Sequence, residues 1–276
     1  MKERNRPIIK LLLRTLGYDI SKYNETFLEK TLQNRITERN CDSEEVYCTL
    51  LEQNENEGVQ FSDSLHINYS EFFRNSLTFS VLEKVILPTI LSKRLNSTHK
   101  EIRIWSAACA AGQETYSLAM LLKEIKNSEG EKINFRIFAT DYSETQVKKA
   151  FKGQYSPEEL NNLTLKQINQ CFTKHGNVYS VKPELKENID YSVFDLFSKE
   201  LSSPPSSIFG DFDIVVCANL LFYYKPEYQK SILAKVSKCL AKGGYLITGE
   251  TEREIIMQNN FEEAFPQSAI FMKKQD

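Results

Sequence analysis

The stretch AACAAGQETYSLAM, Ala107–Met120, decides the fold class. It follows a strand-like run at Glu101–Trp105 and leads into a helical pattern. Small side chains at such a turn let the backbone lie close to a ligand. A loop that cradles a pyrophosphate would carry more glycine than the single Gly112. The stretch therefore predicts a strand–turn–helix site for a ligand other than a dinucleotide.

Strand-like and helical runs alternate after residue 100. The strand-like runs are IRIW (102–105), FRIFAT (135–140), DIVVCAN (213–219) and YLITG (245–249). Helical patterns lie between or beside them at 115–126, 144–151 and 227–240. Continuous apolar strands separated by helices are typical of a mostly parallel sheet covered on both faces. The final AIFMKK (269–274) predicts an antiparallel last strand.

One segment departs from this alternation. Between Phe151 and Leu196 the sequence predicts a helix, roughly Ser156–Cys171, and then two alternating runs, NVYSV and IDYSVFDL. We interpret the segment, about residues 152–194, as an inserted helix plus β-hairpin subdomain. Such insertions often recognise a partner or substrate.

The N-terminal residues have helical periodicity instead. Apolar stripes, typical of amphipathic helices, occur at Ile9/Leu12/Leu13/Leu16, Phe27/Leu28/Leu32/Ile36 and Val46/Leu50/Leu51. Gly17 is placed to end the first helix. The polar run Asn54–Gly58 resembles a linker. We therefore expect an all-helical domain at 1–57 and an α/β domain at 58–276.

The composition argues against several classes of protein and of binding site. The net charge of −2 argues against a dedicated nucleic-acid binder, and no apolar run approaches the roughly 20 residues of a membrane span. The six cysteines and three histidines lack metal-ligand spacing, so we expect no metal site. The cytoplasm is the expected compartment.

Polar residues follow successive strands at the edge where such sheets bind ligands. Glu114 follows the first strand, Asp141 the second and Asn219 the DIVVCAN strand. A strand-end carboxylate can bind ribose hydroxyls, so a nucleoside cofactor without a pyrophosphate fits, and S-adenosylmethionine fits best. In isolation, Glu114 is explained by the helix dipole and Asp141 by helix capping. An aromatic run such as Phe222–Tyr224 is usually core.

The stretch NYSEFFRNS, Asn68–Ser76, adds a second element. Two phenylalanines precede Arg74, so a buried anchor could aim its guanidinium. The alternative is a surface helix with an ordinary arginine.

Together these motifs resemble the chemotaxis-receptor methyltransferases of the CheR type, from about residue 7 to 273. NYSEFFR resembles the family's N-x-T-x-F-F-R, and WSAACAAGQETYSLAM resembles W-S-A-x-C-S-x-G-E-E-P-Y-S-L-A-M. FATD (138–141) resembles the family's second-strand end, and CANLLFYY (217–224) its C-R-N-V-x-I-Y-F. The resemblance implies a Rossmann-like class I methyltransferase sheet that binds S-adenosylmethionine and releases S-adenosylhomocysteine.

The resemblance also implies roles for single residues. Arg74 and Tyr223 would stand beside the methyl-transfer point. The cofactor pocket would be lined by Asn68, Ser70, Arg74, Ala107, Glu114, Asp141, Asp195, Leu196, Asn219 and Leu220. Glu114 would contact the methionine portion, Asp141 the ribose, and Asp195 with Leu196 the adenine.

The chain departs from the family at four of these motif positions. Ala218 replaces an arginine, Gln113 and Thr115 replace Glu and Pro, and Asp195 replaces Asn. The hairpin turn near Thr173–Asn177 is short, so we expect no docking of a receptor's C-terminal pentapeptide.

Three functions remain open. The first is a methyltransferase acting on glutamate side chains of chemoreceptor cytoplasmic helices, with the helical bundle as its protein partner. The second is an S-adenosylmethionine-binding signalling or scaffold protein with weakened catalysis. The third is a methyltransferase of this fold with another substrate. Arg74 and Tyr223 favour the first.

Overall fold

The computed structural model describes residues 8, 11, 12, 14, 19–65, 70–94, 101–125, 130, 133–207 and 210–274. The chain divides into two compact units. The first consists of Met1–Ile67 and Phe222–Gln229, and the second of Asn68–Leu221 and Lys230–Asp276. Each unit has its own hydrophobic core.

The first unit is helical. Its described helices are α1 (Glu25–Glu38), α2 (Glu44–Gln53) and α3 (Glu55–Leu65), with a 3-10 turn at Ile20–Lys22. The Asn24 side chain caps α1 by accepting the Phe27 N–H at 2.8 Å. The predicted stripe of α1 is confirmed, since Leu28, Leu32 and Ile36 are buried.

The buried face of α2 differs from the prediction. Tyr47 and Leu51 are buried, one helical turn apart, whereas Val46 is half exposed. The amphipathic tyrosine ring contributes to the core, which counting aliphatic residues alone misses. Of the first predicted stripe, Leu12 is among the described residues and is buried. Ile9, Leu13 and Leu16, and the predicted helix end at Gly17, lie outside the described residues.

The linker predicted at Asn54–Gly58 is wrong. Asn54 separates α2 from α3, and its side chain accepts the Glu57 N–H at 3.2 Å. Glu57 is 1% exposed and accepts hydrogen bonds from Arg35 Nε (3.1 Å), Arg39 Nε (2.5 Å) and the Tyr47 hydroxyl (2.7 Å). The polar residues of this run therefore have structural roles: Asn54 accepts a backbone N–H of α3, and Glu57 is one partner of a buried ion pair. The boundary predicted at residue 57 rested on this linker, and the first unit continues to Ile67.

A distant segment completes the helical unit. Tyr224 stacks on Tyr23 with ring centroids 4.9 Å apart, and Tyr223 packs on Phe27 at 4.8 Å. The Asn24 N–H donates to the Tyr223 carbonyl at 2.8 Å. Tyr223 and Tyr224 therefore pack, partly buried, against the core of this unit.

The ten described strands that belong to sheets all lie in the second unit. They are β1 (Ile102–Ser106), β2 (Phe135–Asp141), β3 (Gln154–Tyr155), β4 (Phe172–His175), β5 (Val178–Val181), β6 (Ile189–Val193), β7 (Phe212–Val216), β8 (Leu240–Ile247), β9 (Phe261–Glu263) and β10 (Ile270–Lys273). The main sheet has the order β6-β2-β1-β7-β8-β10-β9. Its first five strands are parallel, and β10 is antiparallel to β8. The predicted mostly parallel sheet with an antiparallel last strand is confirmed.

Helices precede the first strand and lie between later ones. They are α4 (Ser76–Val81), a π-helical turn (Leu82–Ile86), α5 (Leu87–Arg94), α6 (Gln113–Glu124), α7 (Glu144–Lys152), α8 (Leu165–Cys171), α9 (Pro183–Lys186), α10 (Pro226–Cys239, whose first turn belongs to the helical unit) and α11 (Arg253–Met257). Gly112 begins α6 with φ 94°, and Gly153 ends α7 with φ 57°. Both values lie in the left-handed region that glycine adopts without strain.

The insertion differs from its prediction in two ways. The single helix predicted for Ser156–Cys171 is a 3-10 turn (Pro157–Leu160) followed by α8, because Thr164 and Gln167 form a capping box that starts a new helix. The hairpin is β4 with β5, joined through Gly176–Asn177, and β3 completes a three-stranded antiparallel sheet. IDYSV was assigned wrongly to the hairpin: it is β6, the edge strand of the main sheet, parallel to β2.

Candidate functional site

The carboxyl ends of four parallel strands are bonded to one another at one edge of the sheet. The Ala107 N–H, after β1, donates to Val216 O of β7 at 2.8 Å. The Cys109 N–H donates to Thr140 O of β2 at 2.9 Å, and the Cys217 N–H donates to Ile247 O of β8 at 2.9 Å. The turns that carry the predicted site residues therefore begin at one edge, where sheets of this kind bind ligands.

Asp141 ties the turn after β1 to the end of β2. Its Oδ2 accepts the Ala110 N–H at 3.0 Å, and its Oδ1 accepts the Ser143 N–H at 2.9 Å. Ala110 has φ 45°, a strained value for a residue with a Cβ that this hydrogen bond helps to hold. The cap of α7 is Ser143, so the alternative in which Asp141 is only a helix cap is wrong.

Glu114 lies in the first turn of α6, and hydroxyl groups orient its carboxyl. Ser106 donates to Oε1 at 2.7 Å, and Thr115 donates to the Ser106 hydroxyl at 3.3 Å. Burial raises the pKa of Glu114 to about 7; the Ser106 hydrogen bond and the charge of Arg74 oppose this rise, and the charge of Glu252 adds to it. Thr115, which replaces the family's proline, is thus the start of a hydrogen-bond chain to Glu114.

Gln113 faces the insertion. It is buried, and its Nε2 donates to Oε1 of Glu159 at 3.3 Å. The Glu159 carboxylate also accepts the Ser156 N–H at 2.8 Å. Within the described part of the chain, Oε1 of Gln113 has no hydrogen-bond partner. A glutamate in its place would set two carboxylates against each other, so the glutamine suits this neighbour.

The Phe72–Arg74 segment is a turn, which excludes the surface-helix alternative. Phe72 is fully buried and packs edge-on against Tyr155 with centroids 5.0 Å apart. Phe73 has φ 48°, and its N–H donates to the Ser117 hydroxyl of α6 at 3.0 Å. This strained turn presents Arg74 at the surface, close enough for its charge to act on Glu114.

Three further predicted residues lie just before this turn or just after β6. Ser70 is half-buried ahead of Phe72. After β6, the Phe194 N–H donates to Asp141 O at 2.9 Å, which brings Asp195 and the buried Leu196 to the same edge. Oδ1 of Asp195 accepts the Phe197 N–H at 2.8 Å, so this carboxylate stabilises its own turn.

Sequence reasoning missed Lys235, which holds the loop after Asp195. Its ammonium donates to the carbonyls of Ser198 and, at 2.8 Å, Leu201, and lies 5.2 Å from the centre of the Phe194 ring. Its apolar neighbours on α10 read as an ordinary amphipathic helix. No local pattern could have distinguished this lysine from a solvated one.

Asn219 and Leu220 form a tight turn after β7. Asn219 has φ 59°, in the left-handed region that asparagine tolerates. The N–H groups of Asn219 and Leu220 donate to the Glu252 carboxylate at 2.8 and 2.7 Å. Glu252 was also missed. The one available signal was an acidic residue shortly after the YLITG strand, at the edge where ligands bind.

Two predicted residues lie outside the described part of the second unit. Tyr223 belongs to the helical unit, where it packs on Phe27. Asn68 lies outside the described residues. The structure thus brings Arg74, Glu114, Asp141, Asp195 and Asn219 to one edge of the second unit. No helix among the described residues is long and apolar enough to cross a membrane.

Comparison with known proteins matches both parts of the chain to family models. Residues 6–65 match the CheR methyltransferase all-alpha domain, and residues 68–270 match the CheR methyltransferase SAM binding domain. The chain is 29% identical to a chemotaxis protein methyltransferase of Borreliella burgdorferi, over 91% of this chain and 88% of the relative. It is 28% identical to that of Escherichia coli K12, over 93% and 86%. It is 32% identical to chemotaxis protein methyltransferase Cher2 of Pseudomonas putida, over 70% and 68%.

Proposed function

The chain belongs to the CheR family of S-adenosylmethionine-dependent methyltransferases, and from this we propose that it methylates glutamate side chains of chemoreceptors. The products are glutamyl methyl esters and S-adenosylhomocysteine. Relatives that match most of the chain are named chemotaxis protein methyltransferases. The observation that carries the proposal is the convergence of Glu114, Asp141 and Asn219 at the strand-end edge, with the charge of Arg74 acting on Glu114.

The residues at this edge fit the cofactor. Glu114 offers a carboxylate for the ammonium group of the methionine portion, and Asp141 offers one for the ribose hydroxyls. Because Ala107 and its neighbours in the turn are small, the backbone can approach the methionine end without the glycines that a pyrophosphate needs. We assign Asn68, Ser70, Asp195, Leu196, Asn219 and Leu220 to the remaining walls of this pocket.

The reaction needs no general base. A glutamate side chain has a pKa near 4.3, so the substrate carboxylate is ionised at neutral pH. The cofactor supplies a methyl group on a positive sulfur: a lone pair of the carboxylate oxygen forms the bond to the methyl carbon as the carbon–sulfur bond breaks, and that electron pair stays on sulfur. The protein's task is therefore to place the carboxylate in line with the methyl group.

Arg74 is the residue we assign to that task. Its guanidinium can hold a carboxylate through two parallel hydrogen bonds, and the turn at Phe73, tied to α6 through Ser117, fixes the backbone that carries it. Tyr223 is the second catalytic residue that we propose, as a hydrogen-bond donor to the substrate carboxylate. Too strong a hold would reduce the nucleophilicity of the carboxylate, so orientation matters more than charge.

Ala218 favours a second candidate, an S-adenosylmethionine-binding signalling or scaffold protein with weak catalysis. The family's motif has an arginine there, and here a half-buried alanine packs against the main core. A methyltransferase of the same fold with another substrate is the third candidate. The hairpin turn of two residues, Gly176–Asn177, supports our expectation that no receptor pentapeptide docks there.

Transfer of labelled methyl from S-adenosylmethionine to chemoreceptor cytoplasmic fragments tests the proposal. We expect label on the fragment that is released by mild base as volatile methanol, because carboxyl esters hydrolyse under these conditions. A matched fragment with its acceptor glutamates changed to alanine is the control and should stay unlabelled. Base-stable label would indicate another acceptor group. Cofactor binding without label would support the scaffold candidate.

A further inference from the structure

Glu252 is a fully buried carboxylate whose partners are backbone amides. It ends a 3-10 turn, Glu250–Glu252, that follows β8. Oε2 accepts the N–H groups of Asn219 and Gly249, both at 2.8 Å. Oε1 accepts those of Leu220 and Leu221, at 2.7 and 2.6 Å. One side chain thus binds three consecutive N–H groups of the turn after β7 and one after β8.

Only a carboxylate satisfies this arrangement. Both oxygens of an ionised carboxyl accept hydrogen bonds, whereas a glutamine would turn an NH2 group toward two N–H donors. Burial raises the pKa of Glu252, and the four backbone hydrogen bonds oppose that rise. Hydrogen bonds to an ionised group are stronger than those between neutral groups. They offset part of the free energy that burial of the carboxylate costs.

The turn that Glu252 holds is shaped around Asn219. A Cβ added at Gly249 would lie 3.0 Å from Cγ of Asn219 and 3.0 Å from Oε2 of Glu252. The Asn219 side chain therefore lies directly against the Gly249 backbone, and only glycine leaves room for it. The hydrogen bonds to Glu252 also hold Asn219 at its φ of 59°. Asn219, Gly249 and Glu252 form one closely packed group.

We infer that Glu252 is a positioning residue of the cofactor site, which fixes the Asn219–Leu221 turn in the conformation that binds S-adenosylmethionine. This rests on the proposed placement of Asn219 and Leu220 in the cofactor pocket. Glu252 acts on the cofactor through the Asn219 side chain, whose backbone it holds in place, and needs no contact with the cofactor itself. The segment after β8 is therefore part of the binding site.

The test compares Glu252→Gln with Glu263→Gln. Glu263 is the control because its carboxylate, which also pairs with Arg253, accepts backbone N–H groups from Gln267 and Ala269 but lies on the edge strand β9. Binding of S-adenosylhomocysteine is measured by calorimetry and expressed per folded molecule, with the folded fraction taken from urea unfolding. We expect E252Q to raise the Kd about tenfold, the effect of one or two misplaced hydrogen bonds. E263Q should lower stability and leave the Kd unchanged.

A double-mutant cycle tests the route of the effect. In an Asn219→Ala background, E252Q should change the Kd by less than about twofold, because the side chain that it positions is gone. Should E252Q fail to fold, Gly249→Ala keeps the carboxyl group but places a Cβ against both Asn219 and Oε2 of Glu252, and should weaken binding by a similar factor.

Each outcome has one meaning. Equal Kd values for wild type and E252Q, or for wild type and G249A if E252Q does not fold, would overturn the inference while leaving the methyltransferase proposal intact. Equal effects of E252Q in both backgrounds would also overturn it, since Glu252 would then act independently of Asn219. A wild-type protein that does not bind S-adenosylhomocysteine would overturn the assigned cofactor pocket and the inference with it.

Discussion

Ser106 donates its hydroxyl hydrogen to Oε1 of Glu114 at 2.7 Å, while burial holds the pKa of that carboxyl at about 7. In our proposal the ionised Glu114 pairs with the cofactor's ammonium group. S-adenosylhomocysteine should therefore bind about tenfold more tightly at pH 8 than at pH 6, as the ionised fraction rises. Calorimetry at the two values measures this. Glu114→Gln should bind weakly with no such slope, and a slope that persists in this variant would contradict the assignment.

The same carboxyl affects folding with the opposite sign. Its pKa is higher in the folded protein than the 4.5 of an ordinary glutamate, so the folded state binds the proton more tightly. Its contribution to the free energy of unfolding is thus greatest at low pH and falls as the pH rises from about 4.5 to about 7. Urea unfolding of wild type and Glu114→Gln across this range should show the loss of that slope in the variant.

Arg74→Ala should lower methyl transfer by about a hundredfold or more, because the substrate carboxylate loses the group that orients it. Binding of S-adenosylhomocysteine should stay measurable. Arg74→Lys keeps the charge without the planar fork and should fall between alanine and wild type. Single-turnover transfer to a receptor fragment measures all three. Wild-type rates in the alanine variant would remove Arg74 from the site.

Gly112→Ala should lower the free energy of unfolding more than Gly130→Ala does. Both glycines have positive φ, 94° and 79°, so both substitutions carry roughly 1–2 kcal/mol of backbone strain. A Cβ at Gly112 would also lie 2.9 Å from the Ala150 Cβ, whereas at Gly130 none of the residues that the structure describes lies within 4 Å. We expect the overlap to add about 1–3 kcal/mol. Equal losses in urea unfolding would show that the turn after β1 relaxes freely.

Glu57→Gln should destabilise the helical unit by about 3–5 kcal/mol, the usual loss when one partner of a buried ion pair is removed. Its side chain is 1% exposed, and its partner Arg35 is 11% exposed. Glu38→Gln is the control, because Glu38 pairs with the same arginine at the surface with 60% exposure and should cost less than about 1 kcal/mol. Similar losses in both variants would mean that burial adds nothing to this pair.

The sequence predicts an element correctly where the hydrophobic pattern of its residues matches their burial in the structure. The buried strands β1, β2 and β7 read as apolar runs because helices cover both faces of the sheet. Edge strand β6 is only half-buried, so its alternation indicated a hairpin. Asn54–Gly58 read as a solvated linker because the Arg35–Glu57 pair joins residues far apart in sequence.

The residues of the candidate site also divide into those that the sequence predicts and those that it does not. Asp141 and Asn219 were predictable from their position at strand ends. Lys235 was not predictable, and the position of Glu252 after a strand was its one signal, because each acts through backbone groups brought near only by the fold. Thr115 departs from the family's proline, and its hydrogen bond to Ser106 gives this departure a structural reason.

The packing of Tyr224 on Tyr23, and of Tyr223 on Phe27, has a consequence for the order of folding. Asn24 and Phe222 are bonded across 198 positions of the chain. During synthesis, which proceeds from the N-terminus, the helices of the first unit emerge long before the aromatic segment that completes their core. A nascent chain that ends before residue 222 leaves Tyr23 and Phe27 without these partners. Residues up to Ile67 of the helical unit are therefore made before the α/β unit, yet the helical unit is complete only after most of the α/β unit has emerged.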